Sequence, residues 1–161
     1  METGNPTIDA QTAFARQRRA RRRRRVVGWL TGRRRASSHL PTLDDALGPA
    51  PVGTRREVGL TAVPLRSIVG TAECAKARAF DAAFRPPASS RRRWEGLWIA
   101  GRRGAALPPI SVYRVRGRHF VGDGHHRVSV ARALGMDAID AEVIELGPVR
   151  SRGAGGRPSC F

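Results

Sequence analysis

The chain has 161 residues, 40% of them hydrophobic, and a formal charge of +17. That length accommodates one domain with a tail or two, and the charge points to polyanions as partners. No apolar run approaches the roughly 18 residues of a membrane-spanning helix, and VVGWL at 26–30 is too short for a signal-peptide core. A cytoplasmic location is therefore expected.

Arginine outnumbers acid by 11 to 2 in the first 35 residues, and eight of these arginines fall between Arg16 and Arg25. Like charges at i,i+4 oppose an isolated helix. Residues 1–56 are therefore expected to be a largely disordered basic arm and linker. The arm is suited to nonspecific nucleic-acid contact, with Trp29 as a candidate interfacial anchor. The linker, 36–56, is broken by Pro, Gly and Ser and leaves room for one helical turn at Leu43 to Leu47. From Gly147 the composition again falls to Gly and Arg, so 147–161 reads as a disordered tail.

Between them, 57–146 reads as one folded unit. VGLTAVPL at 58–65 is β-prone and leads into a turn at IVGT, and AECAKARAFDAAF at 72–84 is helical, closed by Pro86 and Pro87. Ser89 or Ser90 is placed to cap a helix whose Trp94, Leu97 and Trp98 share one face, directed at the sheet. Gly104 ends this helix. Arg91 to Arg93 lie near its start, where the dipole disfavours them, which leaves room for an external anion. PPISVYRV at 108–115 is a strand, and Arg116-Gly117 turns it into a hairpin over 110–122. The helix HHRVSVARAL follows, closed by Gly135, and DAIDAEVIEL at 137–146 alternates as a strand. The fold class is α+β: a small mixed α/β domain.

GDGHHR at 122–127 carries the chemistry. A strand that runs through two glycines into a helix leaves a cluster of backbone N–H groups without intrahelical partners, and the helix dipole adds positive charge there. Gly122 and Gly124 would let a ligand approach the backbone, His125 and His126 would flank it, and Arg127 could fork onto phosphate oxygens. A phosphate cradle is the leading reading; the plain alternative is a glycine turn with surface histidines. No metal site is expected. His125 and His126 are adjacent and so diverge by about 100° on a helix, whereas a helical two-histidine site needs i,i+4 spacing. Cys74 and Cys160 offer neither metal spacing nor a disulfide framework.

VPLRSIVGTAE, a helical segment, LPPISVYRVRGRHFVGDGHHRVSVARALG and IDAEVIE together resemble the ParB/sulfiredoxin superfamily over about residues 58 to 146. Asp123 through Arg127 is similar to the motif of the branch that includes free-serine kinases. The resemblance implies a nucleoside di- or triphosphate (ATP, ADP or CTP) with Mg²⁺, held by Gly122, Gly124, His125, His126 and Arg127. It also implies Asp123 as base and Glu73 as a second catalytic carboxylate. His125 stands where sulfiredoxins carry their reactive cysteine, so the chain is not expected to reduce sulfinic acids. It stands also where partition proteins carry a glutamate that assists nucleotide hydrolysis, and no helix-turn-helix region follows the domain. The expected function is a ParB-like, chromosome-partitioning-type domain that binds a nucleotide phosphate and touches nucleic acid through its arm. The alternatives are a small-molecule kinase and an architectural nucleic-acid binder with a vestigial site. Oligomeric state is left open.

Overall fold

The computed structural model describes residues 4–30, 39–48 and 52–148. Its centre is a five-stranded mixed sheet in the order β1-β5-β3-β4-β2. The strands are β1 (Val52–Pro64), β2 (Ile68–Thr71), β3 (Ile110–Val115), β4 (Arg118–Asp123) and β5 (Ala138–Pro148). β1/β5 and β3/β4 pair antiparallel, whereas β3/β5 and β2/β4 pair parallel. The helices are α1 (Pro6–Leu30), α2 (Leu43–Leu47), α3 (Cys74–Ala79), α4 (Arg91–Arg102) and α5 (His125–Ala133). The α+β architecture follows from the residue pattern as expected.

The β3–β4 turn has Arg116 at φ 50° and Gly117 at φ 76°. Two successive left-handed residues make the turn whose twist matches an antiparallel ribbon. The main core lies between the sheet and α5, where Val63, Ile110, Val112, Val121, Val128 and Val143 are buried together. The strand residues among these are β-branched and fill a half-buried pleated surface well, with Val128 of α5 packed on them.

Several elements depart from the sequence reading. IVGT is not a turn but strand β2, because both of its edges are occupied. β4 pairs on one side. On the other, the Pro41 carbonyl accepts from Thr71 N at 2.9 Å, and Thr42 bridges to Thr71. The helix expected at 72–84 ends at Ala79. The Asp81 carboxylate accepts from the backbone N–H groups of Ala83 and Arg85 at 3.0 and 2.9 Å, giving the chain a side-chain alternative to helical bonding. Phe84 then turns left-handed at φ 59°. β1 begins at Val52, within the expected linker, because β5 extends to Pro148 and pairs with it along its length. Ser90 occupies the N-cap position of α4 but bonds back to the Pro87 carbonyl instead of capping.

The largest difference is the arm. Pro6–Leu30 is a 25-residue helix rather than a disordered segment. Ala10 and Phe14 are buried against Trp94, Trp98 and Val130 in a second core, and the Phe14 and Trp94 rings lie 5.6 Å apart. The α4 aromatic face therefore packs on α1 and α5, not on the sheet. Trp94 Nε1 also donates to Ser129 Oγ of α5 at 2.9 Å. Farther along α1, Arg21 donates to the carbonyls of Ala79 at 2.7 Å and Arg85 at 3.1 Å. This docking offsets the repulsion among the arginines that an isolated helix would suffer. The Trp29 side chain and the tail beyond Pro148 lie outside the described residues, and with them the readings placed there.

Candidate phosphate site at the start of α5

Strand β4 delivers Asp123 to its end, and Gly124 turns the chain into α5 at φ 101°. That angle favours glycine, and a Cβ at Gly124 would overlap the Ile110 side chain. Conformation and packing from β3 both demand glycine at this position. A Cβ at Gly122 would stand 3.3 Å from Tyr113 Cε2. Gly124 also lines one cleft at this turn and Gly122 another.

The two histidines have separate surroundings. His125 is buried to 3% exposure, and its Nε2 shares a 2.7 Å hydrogen bond with Thr71 Oγ1. Phe80 and Phe84 lie against its ring at centroid distances of 5.6 and 6.3 Å. Burial, reinforced by the Lys76 and His126 charges, pushes its pKa down to about 4. His126 meets the edge of Phe80 at 5.1 Å, and its pKa is also pushed down to about 4, by burial and then by the Arg93 and Lys76 charges. Its Nε2 is buried without a hydrogen-bond partner. Unsatisfied buried nitrogens are costly and uncommon, so this atom invites a ligand.

Arg127 is partly committed. It donates from Nη1 to the Pro108 carbonyl at 2.6 Å and to the Pro109 carbonyl, and from Nη2 to Asp123 Oδ2 at 2.6 Å. It pins the segment before β3 to the start of α5, and its charge still faces the cleft. That cleft, of about 250 Å³, is lined by Lys76, Arg93, Leu97, Pro108 and residues 123–127. Lys76 and Arg93 are the members that sequence reasoning did not place at the site. The signals were slight: Lys76 is the one lysine among 30 basic residues, and Arg93 sits against the dipole of its own helix.

The two proposed catalytic carboxylates meet at a second cavity. Glu73 and Asp123 line a space of about 350 Å³ together with Ser111, Tyr113, Gly122 and Ile144. Glu73 is the N-cap residue of α3, and its side chain makes no capping bond. Asp123 lies on the wall shared by the two cavities. Among the described residues, no three His, Cys, Asp or Glu side chains gather closely enough to hold a metal ion.

No protein-family model matches the chain, and no curated protein matches it in sequence. Among solved structures, sulfiredoxin from Arabidopsis thaliana is similar over 52% of this chain and 82% of its own, with 21% identity and a TM-score of 0.39. So loose a likeness carries no chemistry from one protein to the other. Among the described residues, no helix is long and apolar enough to cross a membrane.

Proposed function

We propose that the chain binds a nucleoside phosphate, with its phosphates in the cleft at the start of α5, and that α1 contacts nucleic acid without sequence preference. The observation that carries this is His126 Nε2, a buried nitrogen lacking a partner in a cleft whose charged walls are Lys76, Arg93 and the Arg127–Asp123 ion pair. A phosphate oxygen would satisfy that nitrogen once it is protonated. It would also face the Lys76 and Arg93 charges, aided by the dipole at the start of α5. At about 250 Å³ the cleft suits phosphates better than a whole nucleotide, so the base and ribose would lie outside it. Mg²⁺ would arrive with the phosphates.

A second reading, phosphoryl transfer to a small hydroxyl compound, is favoured by one feature. Asp123 separates the phosphate cleft from the cavity that holds Glu73. An acceptor hydroxyl there would meet a carboxylate base beside the phosphate, which is the positioning such transfer requires.

Calorimetric titration of the full chain with ATP, ADP, CTP and GTP, each with Mg²⁺, tests both readings. One nucleotide is expected to saturate at one per chain, and Lys76→Ala or His126→Ala to weaken it by about tenfold, or roughly 1.4 kcal/mol. Equal binding by wild type and both variants would place the phosphates elsewhere. Conversion of ATP to ADP, or of ADP to AMP, with the phosphoryl group recovered on an added amino alcohol or hydroxy acid, would identify a transferase.

A further inference from the structure

Two contacts bring the arginine helix against elements that line the phosphate cleft. α1 packs by Phe14 on Trp94, whose neighbour Arg93 lines the cleft. One turn and more beyond Phe14, Arg21 reaches the carbonyl of Ala79, the last residue of α3. Lys76 of the same short helix lines the cleft too. α1 therefore touches the two elements that carry Arg93 and Lys76. Its Arg16, Arg19, Arg22, Arg23 and Arg24 are exposed, as are Arg92 and Arg93 of α4. The run from Arg16 to Arg25 contains no acid.

We infer that the ligand of this composite surface is a nucleic-acid strand bound by its end, with a terminal phosphate in the cleft and the adjoining backbone along α1. This rests on the phosphate reading of the cleft and names the substrate class. A terminal phosphate monoester carries close to two charges near neutral pH and presents three free oxygens. It fits a small cleft bearing Lys76, Arg93 and an unpartnered His126 Nε2, where Arg127 is already paired with Asp123. An internal phosphodiester carries one charge and is flanked by sugars on both sides, so it would enter poorly. The exposed arginines of α1 then account for the rest of the footprint. A strand contacting about four of them would show log affinity falling against log salt with a slope near −3.

The test is fluorescence anisotropy on the full chain with single-stranded oligonucleotides of roughly 12 residues, a typical single-strand site size. Three forms of one sequence are compared at about 0.15 M salt: 5′-phosphate, 3′-phosphate and hydroxyl at both ends. One phosphorylated end is expected to bind about tenfold more tightly than the unphosphorylated strand. Arg93→Ala with His126→Ala should erase that preference. R22E, R23E and R24E together should weaken all three forms while preserving the preference. Equal affinity for all three forms would overturn the inference. The calorimetric nucleotide titration then separates the cases: binding of free nucleotide without end preference leaves the proposed function standing, and absence of both removes the two together. Sedimentation with phosphatidylserine vesicles at the same salt, exceeding binding to every oligonucleotide, would assign the surface to a membrane and also overturn it.

Discussion

Acid should unfold this protein in a window set by His125. Its pKa is about 4 in the fold, against an ordinary 6.5. The unfolded chain therefore binds the extra proton between these values, and stability is complete above 6.5 and is lost as the pH falls toward 4. Between about pH 7.5 and about pH 5, a single group with these two values costs the fold about 2 kcal/mol. His126 and His119 shift in the same direction and add to this. Carboxylates barely enter the window: Asp45 and Glu145, held below their usual range by bonds to Thr42 and to Arg56 and Arg114, lose their stabilising effect only at lower pH. The assay is urea unfolding at the two pH values, followed by fluorescence of the buried Trp94 and Trp98. His125→Gln removes the titrating ring and should flatten the pH dependence by about 2 kcal/mol, whatever its own stability at neutral pH. Equal stability of the wild type at both pH values, or an unchanged pH slope in His125→Gln, would refute the argument that this histidine is held neutral by burial.

Two further results are expected. Gly124→Ala should cost about 3 kcal/mol, since it forces a left-handed residue and drives a methyl group into Ile110, whereas Gly122→Ala, 3.3 Å from a yielding Tyr113 edge, should cost below about 1 kcal/mol; urea midpoints compare them, and equal costs would refute the packing account. Asp123→Asn should bind nucleoside phosphate at least as tightly as the wild type, because it removes a negative charge from the cleft wall, yet abolish any phosphoryl transfer; weaker binding in that variant would show that Asp123 holds the ligand through a cation.

Local signals in the sequence located most of the elements. The hairpin was readable from Arg116-Gly117, α4 from its i, i+3, i+4 aromatics, and the start of α5 from Gly124. What escaped was decided by distant partners. IVGT becomes a strand because residues 40–42 and β4 flank it, and no periodicity within four residues announces that. The arginine run is helical because Ala10 and Phe14, before it in sequence, find a pocket between Trp94 and Val130. Charge counting within the run sees the repulsion and misses the docking.

The candidate site shows the same division on a smaller scale. GDGHHR marks the turn that opens α5, and its residues there have different partners. Gly124 is needed for Ile110, His125 for Thr71 and the Phe80–Phe84 pair, and Arg127 largely for the carbonyls of Pro108 and Pro109. Only His126 is left with a buried nitrogen unmatched by protein. The charge that complements a phosphate comes substantially from Lys76 and Arg93, on two other helices. Recognition is therefore assembled by tertiary packing around a rigid turn. Its strength should respond to α3 and α4, and through Arg21 and Phe14 to α1, as much as to the motif itself.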